Sequence, residues 1–258
     1  MPLRLPIMLV APALAITLGV AGRPAQAQGF TPPQREEIGG IVRDYLSKHP
    51  ELVRDAIVEL QRREKADEAA LREKTLSENS DLILKSAHQA VIGNPNGKIT
   101  LVEFYDYNCG YCKKALGDVA RLIKENPDLR VVMKNFPVLG PSSVEAAQVE
   151  AALRNQFTGD KFFDYHQKLL AARGSVGKAQ ALALAKDMGA DMDRLDRDMK
   201  KPDVAQGLSE IMRVADKLAL NGTPSWVLGN DVIIGAVGYD ELRDKIGNMK
   251  KCGKVDCG

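Results

Sequence analysis

A chain of 258 residues with 45% hydrophobic side chains can build one well-buried domain plus an appendage. Its 36 basic and 34 acidic residues leave a net charge of +2, and aromatics make up only 5%. Neither the charge footprint nor the stacking platform of a nucleic-acid binder is present, so nucleic acid is not an expected partner.

The first residues read as an export signal. Arg4 is the only early basic side chain, and an apolar run at 7–21 follows, interrupted by Pro12 and Gly19. That run is shorter than the roughly 20 residues a bilayer span needs. Ala25-Gln26-Ala27 then supplies a small-x-small cleavage pattern. Residues 1–27 are therefore expected to be a cleaved signal peptide, with a mature chain starting at Gln28. Export implies an oxidising compartment, where disulfides persist and enzymes that make or repair them are needed.

Residues 28–60 predict two amphipathic helices. Ile38, Ile41, Val42, Tyr45 and Leu46 recur at helical spacing, and Leu52, Val53, Ala56, Ile57 and Leu60 continue the pattern. Pro50 ends the first near His49 and suits the first turn of the second. The pair is too small to fold alone and is expected to dock on the main domain or to associate with copies of itself. Residues 61–80 alternate in charge through Arg62, Arg63, Glu64, Lys65, Asp67, Glu68, Arg72, Glu73 and Lys74. This predicts a charged helical linker whose apolar stripe is too thin to pack on a core.

The main domain is expected at 81–258. Asn94-Pro95-Asn96-Gly97 marks a turn, and 99–105 reads as a buried strand running into Cys109-Gly110-Tyr111-Cys112. A helix at 113–126 and a strand at 129–136 follow, then a helical block at about 142–218. A hairpin at 226–228 and 232–236 turns around Gly229-Asn230-Asp231, and a last helix covers 239–251. This order predicts an α/β thioredoxin-like fold with an inserted helical subdomain, preceded by an N-terminal helical module.

Four cysteines form two close pairs, and local pairing is the simplest of three connectivities. A strand ending at Cys109 and a helix starting beside it put the Cys109 sulfur at a helix N-terminus, where dipole and free N–H groups favour negative charge. Cys112 lies one turn further in, shielded from outside reagents. Cys109 is the expected nucleophile and Cys112 the resolving thiol. Zinc would need further ligands. The remaining candidates are Cys252, Cys257 and the scattered His49, His88 and His166, which read as surface or cap residues, so no metal and no cofactor are expected. Cys252 and Cys257 read as a structural disulfide worth roughly 2 kcal/mol. A second redox pair or a Cu(I) site is the alternative.

Glu103 sits inside an apolar strand six residues before Cys109. A buried carboxylate there would accept the Cys112 proton; the competing reading is a carboxylate at an exposed strand edge. Lys134 either pairs with Glu103 or faces solvent. Asp106, Tyr107 and Asn108 are expected to shape the rim of the motif. Gly222-Thr223-Pro224 before the hairpin is a candidate cis peptide, whose Thr223 backbone would pair with an extended client strand.

With these residues placed, the chain resembles the DsbA-like branch of the thioredoxin superfamily. Within that branch it is similar to the suppressor-of-copper-sensitivity C type, a group that includes bacterial trimeric disulfide isomerases. The resemblance rests on Val102-Glu103-Phe104-Tyr105-Asp106-Tyr107-Asn108-Cys109-Gly110-Tyr111-Cys112, on Phe136-Pro137-Val138-Leu139-Gly140 and on Gly222-Thr223-Pro224. Upstream, Ile41-Val42-Arg43-Asp44-Tyr45-Leu46 with His49-Pro50-Glu51 resembles the group's N-terminal module. It implies a periplasmic enzyme acting on protein disulfides and thiols. Gly110 and Tyr111 between the cysteines, with Thr223 before Pro224, match the isomerases better than the monomeric oxidases. An isomerase or reductase of this kind implies a homo-oligomer, a trimer through the N-terminal helices, and a membrane reductase of the DsbD type that keeps Cys109 reduced. The alternatives are a dithiol oxidase of the monomeric DsbA type and a periplasmic copper-binding protein. The Cys252/Cys257 pair lies outside the pattern carried over.

Overall fold

The computed structural model describes residues 30–257, so the expected signal peptide at 1–27 lies outside the described residues. The chain divides after Leu60 into two compact units. In the first, α1 (Pro32–Lys48) opens with proline in its first turn. Gln34 reaches back to accept from the Thr31 backbone N–H at 2.9 Å. The helix stops at His49, the residue before Pro50, where α2 (Pro50–Glu78) begins. No residue of α1 is buried. Its apolar face and the one on the first turns of α2 are open, with Ile41 62% and Ile57 50% exposed.

The second unit begins within α2. Beyond the charged stretch, Leu76 is buried in a core cluster with Ile83 of α3 (Ser80–Leu84). The expectation that 61–80 has too little apolar surface to pack therefore fails at its last turn, where one leucine at the right phase is enough.

A five-stranded mixed sheet follows, in the order β1-β3-β2-β4-β5. Its strands are β1 (Ala90–Gly93), β2 (Ile99–Tyr105), β3 (Leu129–Asn135), β4 (Ser225–Leu228) and β5 (Asp231–Ile234). β2 and β3 are parallel and the other neighbours antiparallel. The parallel pair is joined by α4 (Gly110–Glu125), as a βαβ crossover requires. β1 was not among the expected strands; four residues closed by Gly93 are too few to show a period. The insertion is five helices: α5 (Pro141–Leu153), α6 (Gly159–Leu170), α7 (Lys178–Asp187), α8 (Met192–Met199) and α9 (Pro202–Lys217). The last helix is α10 (Tyr239–Cys252).

Alternation along β2 splits the core in two. Leu101 and Tyr105 face α4, α6 and α10, whereas Val102 and Phe104 face α3 and α9. The register sets Glu103 between Met133 and Trp226, and Lys134 beside Phe104. Glu103 and Lys134 thus lie on opposite faces of the sheet, which corrects the expected pairing. Lys134 does not face solvent either. It is buried and donates to the Leu82 carbonyl at 2.6 Å, while Arg130 donates to Leu84 at 2.9 Å. The two cations fasten α3 through its carbonyl-rich C-terminal end. Burial pushes the Lys134 amine down to about 8.

Candidate active site

The C-terminal ends of β2 and β3 and the start of β4 meet at one end of the sheet, the place where open α/β sheets gather their sites. Separated from β2 by three residues, Cys109 takes an extended conformation and becomes the N-cap of α4. Its sulfur accepts the Cys112 backbone N–H at 3.2 Å, so it fills one of the helix's unsatisfied donors and sits at the positive pole. Gly110 opens the helix and Tyr111 is 63% exposed beside it. Cys109 is 4% exposed and Cys112 fully buried, and both are free thiols. Burial pushes the Cys112 thiol far above its usual range. The Cys109 sulfur and an ionised Glu103 add to that push, and the Asp106 backbone opposes it.

The Thr223–Pro224 peptide is cis. It lies against the motif, with the Cys109 thiol donating to the Thr223 carbonyl at 3.1 Å. Ser225 Oγ donates to Gly222 O at 2.7 Å and Gly235 N to Pro224 O at 2.8 Å, which holds the loop on the sheet. Glu103 is at no exposed edge. It is 2% exposed in the central strand, and burial alone pushes its carboxyl up to about 8. A carboxyl poised there exchanges its proton near neutral pH, close to a thiol that must lose one. Cys109, Cys112, Glu103, Thr223 and Pro224 are thus brought together. Cys252 and Cys257 are not; they form a disulfide at the end of α10.

Three expectations need correction. Asp106 and Tyr107 are buried beneath the motif rather than on its rim. Asn108 is only partly exposed and clips the insertion, accepting Val176 N at 2.7 Å and donating to Val176 O at 2.9 Å. His166 is no surface residue: it is buried, edge-on to Tyr105, with Nδ1 3.3 Å from the Tyr107 hydroxyl. Burial pushes it down to about 3, so it is neutral. Next to it, Glu150 accepts from Tyr105 at 2.7 Å and from Asn135. Glu150 is one of two acids in the alanine-rich α5, with Glu145, and it is the one set among the helix's buried residues. Among the described residues no cluster of three or more His, Cys, Asp or Glu is gathered to hold a metal. No described helix is long and apolar enough to cross a membrane.

Residues 100–247 match the family described as DSBA-like thioredoxin domain. The chain belongs to that DsbA-like family. Residues 34–67 match a second description, the copper resistance protein ScsC N-terminal domain. A thioredoxin-like oxidoreductase from Silicibacter pomeroyi is 35% identical, covering 67% of this chain and 99% of that one, with a TM-score of 0.63. Proteus mirabilis ScsC, solved in a transitional conformation, is 30% identical over 83% of this chain and 95% of its own, with a TM-score of 0.61. Among curated proteins, Na(+)/H(+) antiporter NhaA 1 of Salinispora arenicola is 28% identical over 138 residues, 53% of this chain. The chain spans about a fifth of the length of the antiporters it matches.

Proposed function

We propose that the chain is a periplasmic protein thiol–disulfide oxidoreductase that works as a disulfide isomerase or reductase. The observation that carries the reading is the Cys109 sulfur capping α4 within 3.1 Å of the Thr223 carbonyl, ahead of a cis proline. In this reading the Cys109 thiolate attacks a client disulfide. One Cys109–client S–S bond forms, the client S–S bond breaks, and the departing client sulfur takes a proton from solvent. A second client thiol can then attack the mixed disulfide, returning Cys109 and leaving a rearranged client. Alternatively Cys112 attacks, giving a Cys109–Cys112 disulfide and a reduced client; its proton passes to ionised Glu103. The client's extended backbone pairs at Thr223, with Gly110 leaving room beside the sulfur and Tyr111 lining the approach.

Keeping Cys109 reduced in an oxidising compartment needs a membrane reductase of the DsbD type. The open apolar faces of α1 and of α2 up to Leu60 support association of copies, as a trimer, so that several sites address one client. The domain reading goes with it: helices at 28–60 for association, a helical linker at 61–80 and the DsbA-like domain at 81–258.

Recovery of active ribonuclease from its scrambled form tests the reading, with the mature chain expected to restore activity and Cys109→Ser to fail. Fast oxidation of dithiol peptides without unscrambling would replace it by the oxidase. The mass of the mature protein in solution tests the assembly; a monomer would remove the isomerase preference.

A further inference from the structure

The Asp106 side chain has no part in the chemistry above, yet it is completely buried and heavily used. Its Oδ1 accepts the Asn108 backbone N–H at 2.8 Å and the Ser143 hydroxyl at 2.7 Å. Its Oδ2 accepts two consecutive backbone N–H groups, Val138 at 2.9 Å and Leu139 at 3.0 Å. Burying a carboxylate is costly unless its oxygens are filled, and here four donors fill them. The side chain therefore holds its own backbone against three segments: the loop that carries Cys109, the stretch after β3 and the first turn of α5.

What that backbone bonds is the redox pair. The Asp106 carbonyl accepts Cys109 N at 3.0 Å, closing the turn that delivers Cys109 to its place as N-cap. A backbone hydrogen bond from Asp106 also reaches the Cys112 sulfur and holds its pKa down against burial. Both cysteines are thus bonded by the main chain of one residue. The support extends into the helical insertion. Asn108 donates to Ser143 Oγ at 2.9 Å and to the Val176 carbonyl at 2.9 Å. On the other side of the motif, Lys113 Nζ donates to the Ala172 carbonyl at 2.7 Å. One loop of the insertion is thereby tied to the residue before Cys109 and to the residue after Cys112. These bonds leave the two thiols little freedom to drift apart.

We propose that Asp106 is the positioning residue for the intramolecular step of the exchange, in which Cys112 attacks the Cys109–client disulfide. In that step the Cys109–Cys112 S–S bond forms and the Cys109–client bond breaks. The client sulfur leaves with the electron pair and takes a proton from solvent, and the Cys112 proton passes to Glu103. Both reacting sulfurs belong to one chain, so the rate depends on how well the chain holds them in line. The first attack joins Cys109 to a mobile client instead, and the α4 N-terminus activates its sulfur through Cys112 N at 3.2 Å. Asp106 therefore acts on escape from the mixed disulfide and leaves capture almost untouched. The proposal rests on the oxidoreductase reading and deepens it. The dwell of the mixed disulfide sets whether a client is rearranged or reduced, and Asp106 shortens that dwell.

Reduced full-length protein is mixed with a symmetrical peptide disulfide, quenched with acid and read by mass spectrometry, which gives the rates of capture and escape separately. Asp106→Asn, which keeps a single acceptor oxygen, should slow escape about tenfold and change capture by less than about threefold. Ser143→Ala removes one donor of the four and should slow escape about threefold. It decides the matter if Asp106→Asn does not fold. The slowing should be one constant factor from about pH 6 to pH 9, whereas that of Glu103→Gln should grow as Glu103 ionises toward about 8. A merely structural loss would slow capture and escape alike. Three results overturn the positioning role and leave the redox reading in place: capture and escape falling together, escape within about twofold of wild type in the folded variants, or a factor that follows pH as that of Glu103→Gln does. A wild type that forms no mixed disulfide and oxidises no thiol of its own overturns that reading and the positioning role with it.

Discussion

The chain carries two cysteine pairs, and they sit at opposite poles of two helices. Cys109 is the N-cap of α4, where free N–H groups point at the sulfur. Cys252 is the last residue of α10, just before Gly253 turns the chain in the left-handed region, where the free groups are carbonyls. The first pole presents hydrogen-bond donors to a sulfur and the second presents acceptors. The pairs also lie at opposite ends of β4. Thr223, before the strand, contacts Cys109. Gly229, after it, lies against Met249 of α10 and Val255 of the C-terminal loop. Four residues of strand separate those ends by roughly 13 Å. The comparison teaches that spacing announces a pair, while the helix end it occupies decides whether it reacts or holds.

The largest effect that could break this contrast is at Cys109. Cys109→Ser should lower exchange with peptide disulfides by roughly three orders of magnitude or more, because a serine hydroxyl does not ionise near neutral pH. Cys112→Ser should instead accumulate a Cys109–client mixed disulfide, seen as a mass shift in non-reducing electrophoresis or mass spectrometry. Exchange surviving in Cys109→Ser and lost on changing Cys252 would reverse the assignment of the two pairs.

Glu103 sharpens the contrast next, because a buried acid attends the first pair. In the folded chain it keeps its proton up to about 8, whereas an exposed glutamate loses it near 4.5. Between those values the unfolded chain binds fewer protons. Stability should therefore be fully present below about 4.5 and fall as pH rises toward 8. Glu103→Gln removes that slope and should stabilise the protein by roughly 3 kcal/mol at pH 7. The same change should slow release of the mixed disulfide by Cys112 about tenfold or more, since the proton acceptor is gone. Urea unfolding across pH and single-turnover release measure the two halves. A variant no more stable than wild type at pH 7 would mean that Glu103 is solvated.

Much of this site was legible because strong local signals carry it. The strand running into Cys-Gly-Tyr-Cys placed both thiols, and one acid in an apolar run marked Glu103. Pro50 placed the break between the first two helices. Tertiary contacts hid the rest. Lys134 shows no mark in sequence of the Leu82 carbonyl it caps from 52 residues away. Asp106 looked like a polar rim residue because its donors at Val138, Leu139 and Ser143 come from a distant stretch of chain. His166 looked superficial because helical phase does not reveal that Tyr105 and Tyr107 close over it. β1 was invisible because a four-residue edge strand gains its identity from pairing with β3.

The smallest effect concerns the second pair. The Cys252–Cys257 bridge closes a short loop that seats Val255 in the core, and Asn248 Nδ2 donates to the Val255 carbonyl at 2.9 Å. Replacing both cysteines by serine should cost about 2 kcal/mol, the loop-entropy scale for so small a ring. For a domain of this size that lowers Tm by roughly 4–8 °C. Exchange at Cys109 should stay within about twofold of wild type, because the bridge touches only the far end of β4. Thermal unfolding and peptide-exchange rates on the same preparation check both. If exchange fell with stability unchanged, the bridge would have to act in electron transfer, and the division between a reactive pole and a holding pole would fail. If stability fell and exchange held, the hydrogen bond from Asn248 and the packing of Val255 would be enough to keep β4, and with it Thr223, in place.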